Sequence, residues 1–462
     1  MEKMTIKLSD FFTIVLMTFI ALLYVSLIFN QNIWTDEAFT MQLVNSHSIQ
    51  EIIKGTVVDV HPPLYYLIAY FFVTLFGTTI QVYKVVSIVP MILTMLLGVF
   101  CIKPWFGTKT TVLFILFFNA IPCVMEYGVQ VRMYSWCIFF ITFAAISAYG
   151  YYQFKSKKYL IFLTIGALCA CYTHNFAMIS AVFIYMFLGI LLIFQERKFP
   201  LKWFVSGIII SILYLPWLFV LYQQTNDRVG NYWISNIDRE TILGYFSDIF
   251  GSRIPYSTTM FVILLFIAIV LLIIRICYDK NSGLFGIMLF LVPILTAFLG
   301  VVVSILITPF FIARYLLPCM GLLALGLAIA FGNEEKYSYL FLCLFLVCMI
   351  GNAYYENYEA EYHSTNVDEF LTFMDDNLSD NDIIIYNYET FDFVYECYFD
   401  SERLVFLEDF NFGSEYENIW FLDSCCTPWL QDSTLITYGL TKEYISTFSI
   451  EHNEFRLYRI CK

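Results

Sequence analysis

Two adjacent carboxylates, Asp36 and Glu37 in the run Ile33-Trp34-Thr35-Asp36-Glu37-Ala38-Phe39, follow the first long apolar stretch of the chain. An ionised carboxylate is acceptor-only, suited to taking a proton from a hydroxyl or to holding a cation. Farther along come Asp59 and His61 ahead of Pro62 and Pro63, then Lys84, Glu126, Arg132 with Tyr134, His174 and Arg314. Guanidinium, imidazole and ammonium groups are the side chains that hold a phosphate or neutralise a departing oxyanion. The set therefore has the parts for activating a hydroxyl beside a phosphate. Asp59 and His61, with Glu37, are also candidates for a divalent cation, although an Asp-x-His spacing alone does not make a ligand set.

The elements that must position these residues follow from composition. Of 462 residues 60% are hydrophobic and 14% charged, and the apolar residues fall in runs long enough to cross a hydrocarbon core of about 30 Å. This is the composition of a polytopic α-helical membrane protein. Hydropathy predicts eleven spans, near 11–29, 82–102, 110–125, 133–152, 159–173, 175–194, 202–221, 259–277, 283–306, 315–331 and 337–352. Lys3 and Lys7 precede the first, and no small-residue cleavage site follows Asn30, which reads as an uncleaved helix. Stretch 159–194 would run to about 54 Å as one helix, so it must turn, and Thr173-His174-Asn175 is the polar place to do so.

Charge sets the orientation. Lys155, Lys157, Lys158, Arg197, Lys198, Lys202, Lys103, Lys109, Arg275 and Lys280 mark cytoplasmic loops. Were 62–76 a span, these clusters would face outward, so that segment is expected to be an amphipathic helix along the outer interface. Eleven spans from a cytoplasmic amino end leave the tail outside. Asp36, Glu37, Asp59, His61, Lys84, Glu126, Arg132, His174 and Arg314 then all fall at outer span ends or in outer loops. Such convergence suits a lipid-linked substrate with a phosphate at headgroup level. Each residue also has a structural reading: Lys84 and Arg314 snorkelling to headgroups, Arg132 clasping Glu126, His174 capping its turn.

From about 353 the chain turns acidic, with Glu356, Glu359, Glu361, Asp368, Asp375, Asp376, Asp380 and Asp382 carrying much of a net charge of -13. Residues 353–462 are expected to form a small extracytoplasmic α/β domain, beside a transmembrane domain of residues 1–352. A helix near 366–377, strand 383–386, an aromatic helix near 390–399, strand 404–407 and the apolar run 419–422 are predicted. Cys397, Cys425, Cys426 and Cys461 lie in this tail; they form no metal motif, and a disulfide among them cannot be assigned. The acidic face reads as solvated surface or as a docking face for a basic partner.

In order along the chain, Trp34-Thr35-Asp36-Glu37, Asp59-Val60-His61-Pro62-Pro63-Leu64-Tyr65-Tyr66, Arg132-Met133-Tyr134-Ser135, Tyr172-Thr173-His174-Asn175-Phe176 and Arg314-Tyr315-Leu316-Leu317-Pro318 resemble the GT-C superfamily of integral membrane glycosyltransferases. The likeness covers roughly residues 1–350 and is to the branch with protein O-mannosyltransferases and the aminoarabinose transferase of lipid A. It implies transfer of a sugar from a polyprenyl-phosphate donor to an acceptor hydroxyl on the outer face, with inversion. By the same resemblance Asp36 is the base, Glu37 orients the acceptor or helps hold a cation, and Asp59, His61, Lys84, Arg132, Tyr134, His174 and Arg314 bind substrate. His174 stands where the aminoarabinose branch would have lysine. A glycolipid, a glycan, a wall polymer and a protein all suit such a site as acceptor, and no nucleic-acid partner is expected. Two rivals come from other classes. A secondary transporter or flippase would show matched inverted halves with midplane charges, and a scaffold with an acidic outer domain would leave the outer-loop residues without a task.

Overall fold

The computed structural model describes residues 8–461 apart from 46, 47, 229–233, 235, 334, 414, 415 and 417. Lys3 and Lys7 lie outside the described residues. The chain begins with α1 (Leu8–Ser26), then the short helices α2 (Thr35–Asn45), α3 (Ile49–Val58) and α4 (Leu64–Phe76). Next come α5 (Ile80–Leu97), a π-turn at Gly98–Ile102 and α6 (Lys103–Ala120). Gly107 breaks α6 at φ 83°, a conformation that a Cβ would strain. The chain reverses there, so that Thr111 Oγ1 donates to the Gly98 carbonyl at 3.3 Å.

After α7 (Pro122–Val129) follow α8 (Tyr134–Phe154), α9 (Lys157–Cys171), α10 (Asn175–Glu196), α11 (Leu201–Arg228) and α12 (Arg239–Phe250). Then come α13 (Ser257–Ile276), α14 (Lys280–Leu306), a 3-10 segment at Ala313–Cys319, α15 (Met320–Phe331) and α16 (Lys336–Tyr362). Every expected span has a helix at its place. Among the described residues nine helical stretches are long and apolar enough to cross a membrane; one of them, 80–120, is the pair reversed at Gly107, whereas α9, with 15 residues, is too short to be one of the nine. Two bounds differ from expectation. The span expected at 110–125 ends at Ala120 because Pro122, which has no N–H to donate, opens a new helix. The last span continues to Tyr362 rather than ending at 352. Helix α4, 13 residues long, extends only about 20 Å and cannot cross about 30 Å.

Two compact units divide the chain. The larger holds residues up to Ile28, 47–77 and 82–356; the smaller holds Phe29–Ser46, Thr78–Gln81 and Asn357–Lys462. In the smaller unit five strands, β1 (Ile383–Tyr386), β2 (Leu404–Phe406), β3 (Ile419–Asp423), β4 (Thr441–Ile450) and β5 (Asn453–Cys461), form one sheet in the order β2-β1-β3-β5-β4. The first three are parallel, and the β4–β5 hairpin adds antiparallel to β3. Ile385, Leu407, Phe410, Phe421 and Ile460 fill one face. On the other, α17 (Val367–Asn377) brings Phe370 within 5.0 Å of the Phe455 ring and 5.3 Å of the Phe448 ring. The aromatic helix expected near 390–399 is the shorter α18 (Asp392–Tyr395), and α19 (Asp432–Thr437) lies before the hairpin. All four tail cysteines are free.

Candidate active site

The first outer loop is built locally and then tied to the tail. Asp36 and Glu37 occupy the first turn of α2, where the helix dipole favours carboxylates. Glu37 is buried, and its Oε2 accepts the backbone N–H of Trp34 at 3.1 Å, a capping-box contact that satisfies a donor the helix leaves open. Asp36 is partly exposed. Around them, Asn32 and Glu451 exchange two hydrogen bonds, Asn32 Nδ2 donating to the carboxylate at 3.1 Å and Glu451 N–H donating to Asn32 Oδ1 at 3.0 Å. Tyr398 donates its hydroxyl to the Gln31 carbonyl at 2.5 Å, Gln42 donates to Glu396, and Phe39 meets Phe393 edge-on at 6.2 Å. The helix with the carboxylate pair is thus part of the smaller unit.

In the larger unit, chain segments far apart in sequence meet at the ends of α3, α9 and α10. Asp59 caps α3, and its Oδ2 accepts from His61 Nδ1–H and from the Tyr66 hydroxyl, each at 3.1 Å. Burial alone would raise the Asp59 carboxyl, but the adjacent His61 and, farther off, Arg132 hold it well below the usual carboxylate range. His174 caps α10: its Nδ1 accepts the Phe176 N–H at 3.1 Å. Nδ1 therefore carries a lone pair, and the proton of the neutral ring sits on Nε2. Burial, then the positive fields of His61, Arg132 and Arg314, push His174 well below its ordinary value. Its ring lies 5.4 Å from His61, 5.8 Å from Tyr134 and 5.1 Å from Tyr315.

Two hydrogen bonds lock these segments together. Leu64 N–H donates to the Tyr172 carbonyl at 2.9 Å, and Asn175 Nδ2 donates to the Val60 carbonyl at 3.1 Å. From α11, Gln224 Nε2 reaches the carbonyls of Thr56, Val57 and Asp59 at 3.0, 3.0 and 2.6 Å. Between them opens a pocket of about 280 Å³, lined by His61, His174, Asn175, Gln224 and Tyr315 among apolar walls that include Phe176, Leu221, Val303 and Phe310. A second cavity, about 400 Å³, holds Arg314, Glu126, Tyr127 and Asp248; burial raises the Asp248 carboxyl above its ordinary value.

The structure thus gathers Asp59, His61, Arg132, Tyr134, His174 and Arg314 within one unit. Lys84, 1% exposed on α5, is enclosed by protein and does not reach outward as a snorkelling lysine would. Asp36 and Glu37 belong to the smaller unit. Tyr66, Asn175 and Tyr315 stand in runs that the sequence marks, without a site role of their own, and Gln224 and Asp248 were not marked at all. The only signal for Gln224 was a pair of amides, Gln223-Gln224, ending an apolar span. For a divalent cation, Asp59 already spends Oδ2 on His61 and Tyr66. Among the described residues no three of His, Cys, Asp and Glu group as ligands, so the donor set does not fit a dedicated metal site.

No protein-family model matches the sequence, and no curated protein does. Solved structures do. ArnT from Cupriavidus metallidurans in the apo state superposes with a TM-score of 0.64 at 9% identity, over 98% of each chain. The same protein bound to undecaprenyl phosphate superposes with a TM-score of 0.60 at 11% identity, over 97% of each chain. This chain has an ArnT-like fold, polytopic and helical with a small sheet domain at its carboxyl end.

Proposed function

We propose that this chain is a membrane glycosyltransferase that moves a sugar from a polyprenyl-phosphate donor to an acceptor hydroxyl on the extracytoplasmic face, with inversion. The observation that carries the reading is the meeting of Asp59, His61, Arg132, His174 and Arg314 in a fold shared with a protein that binds undecaprenyl phosphate. Arg132 and Arg314 suit the two oxygens of a phosphate, and neutral His174 offers Nε2–H as a further donor. Lys84 and Tyr134 complete the donor-binding set. Asp36 takes the acceptor's proton as its oxygen attacks the anomeric carbon. The bond from that carbon to the phosphate oxygen breaks, and its electron pair leaves with the polyprenyl phosphate. Glu37, which already braces the turn of α2, holds Asp36 in place. The acceptor is a glycolipid, glycan, wall polymer or protein.

The test is transfer from a labelled polyprenyl-phosphate sugar to envelope extract by the purified protein. Asp36→Asn should cut turnover by about 10²–10⁴ while donor affinity stays within a few fold. Full turnover in that variant removes Asp36 as base, and no consumption of any lipid-linked sugar by the wild type removes the whole reading.

A further inference from the structure

The smaller unit holds a cleft that the proposed reaction does not use. It opens where the 3-10 turn Leu407–Asp409, the loop that follows β3 and the helix α19 meet, and its volume of about 300 Å³ suits one ring of a ligand. Its floor is fixed. Leu407 and Phe410 belong to the apolar cluster on one face of the sheet, and Leu430 and Phe412 pack against that cluster. Asn387, 1% exposed, pins the loop: its Nδ2 donates to Asp423 Oδ1 and to the Cys426 carbonyl, and its Oδ1 accepts the Ser424 N–H, each at 2.9 Å. Beyond α19, the N–H groups of Tyr438 and Leu440 both return to the Leu435 carbonyl, at 3.1 and 2.9 Å. A hollow on backbone anchored in this way exists before any ligand arrives, so binding does not have to order it.

The rim is the opposite, open to water and uncommitted. Trp429 is 58% and Tyr438 47% exposed, and the Tyr438 ring lies 6.1 Å from that of Phe412, so the cleft presents aromatic surface that the fold does not cover. Glu408, Asn411 and Gln431 line the same cleft and are exposed. Asn411 Oδ1 accepts the Gly413 N–H at 3.0 Å and Gln431 Oε1 accepts the Ser433 hydroxyl at 3.3 Å, which leaves the amide NH2 of each to donate. Among the described residues the Glu408 carboxylate and the Trp429 indole N–H have no hydrogen-bond partner.

This inventory of acceptor, donors and aromatic faces restricts the occupant. A hydrocarbon chain would use the rings and leave every polar group bare. An anion would find donors but would meet Glu408, in a segment from Asn357 to Lys462 whose Asp and Glu far outnumber its Lys and Arg; the same charge disfavours a bilayer of anionic lipids. An ammonium would pair with Glu408 and offer nothing to the amide and indole donors. A hydroxyl both donates and accepts. A ring that carries hydroxyls on its edge and C–H groups on its faces matches all three features together, and that is the chemistry of a sugar.

We propose that this cleft binds a neutral sugar residue of a glycan, with a C–H face of the ring on Trp429 and its hydroxyls on Glu408, Asn411 and Gln431. The proposal goes beyond the glycosyltransferase reading and does not depend on it. Where both hold, the acceptor carries a carbohydrate chain.

The experiment titrates the full chain in nanodiscs with hexasaccharides of glucose, mannose and galactose, and with those of glucosamine and glucuronic acid. At least one neutral hexasaccharide should bind. Trp429→Ala should weaken it by roughly three- to tenfold, the worth of one aromatic contact, and Trp429→Phe, which keeps a ring face, should weaken it less. Binding of no neutral hexasaccharide, or equal affinity in wild-type and Trp429→Ala protein, overturns the proposal. A charged hexasaccharide bound more tightly than every neutral one would mean that the cleft reads charge, and overturns it too. The bilayer is tested with a spin label at Trp429→Cys in a cysteine-free background: an aqueous nickel complex should relax the label, whereas a label shielded from nickel but open to oxygen would place the cleft on the membrane and overturn the sugar site. Transfer from a labelled polyprenyl-phosphate sugar is measured on the same preparation. Glycan binding without transfer removes the glycosyltransferase reading alone, and transfer without glycan binding removes the cleft alone.

Discussion

His174 is neutral because it is buried among positive groups, and that has a consequence for stability. Its folded value lies well below the ordinary one, so as pH falls past about 6.5 the unfolded chain binds a proton that the folded chain refuses. The stability His174 permits is complete above that pH and declines below it, by at most about 1.4 kcal/mol per pH unit. Thermal unfolding of the purified protein should show a lower midpoint at about pH 5 than at about pH 7, and His174→Asn should flatten the difference. Asp59 titrates elsewhere: its depressed carboxyl adds stability above about pH 3.9 that is lost only as pH falls through the folded value, so it adds no slope in the same interval. Arg314 is tested by geometry. Arg314→Lys keeps the charge but loses the planar fork, and donor affinity should drop about tenfold, with Arg314→Ala at least as weak. Unchanged affinity in a folded Arg314→Ala protein would remove it from the donor site. Residues such as Arg314 and His174 are legible in sequence because a charged or titratable side chain is out of place at the end of an apolar run. Asn175 and Gln224 are not, since an uncharged amide at a helix end is ordinary until its partners across the fold are seen.

At the scale of elements, the spans were legible from hydropathy and from charge bias, and the turn at Thr173-His174-Asn175 from the length limit alone. What was not legible depends on backbone geometry: Gly107 reverses the chain within a continuous apolar stretch, and Pro122 divides a predicted span. The β4–β5 hairpin went unassigned, although β5 alternates buried and exposed residues along most of its length. Nothing in the sequence marks α2 as a partner of the tail, because Asn32, Tyr398 and Glu451 are common polar residues until they are seen bonded. Loosening that attachment should separate the two halves of the proposed reaction. In the double variant Asn32→Ala with Tyr398→Phe, each change removes hydrogen bonds worth about 1 kcal/mol. Turnover should fall several-fold while donor affinity is retained. Donor affinity falling in parallel would place the loop at the phosphate instead of at the acceptor.

For the whole molecule, the orientation argued from lysine and arginine is open to direct labelling. In a background without native cysteines, Lys157→Cys should resist an impermeant thiol reagent in intact cells, and a single cysteine restored at Cys425, exposed in the smaller unit, should react. Rapid labelling at position 157 would invert the topology and remove the outer-face site with it. One more consequence comes from the pairing of Asn32 with Glu451, 419 residues apart. The ribosome adds about 5–20 residues per second, so the loop with Asp36 waits on the order of half a minute to a minute before its partner exists. During synthesis the first outer loop stands at the membrane surface without the contacts that fix it. A chain cut short between Tyr398 and Glu451 keeps the partners of Gln31, Phe39 and Gln42 but never acquires that of Asn32, so a late truncation would leave the loop with the acid pair held at one side only.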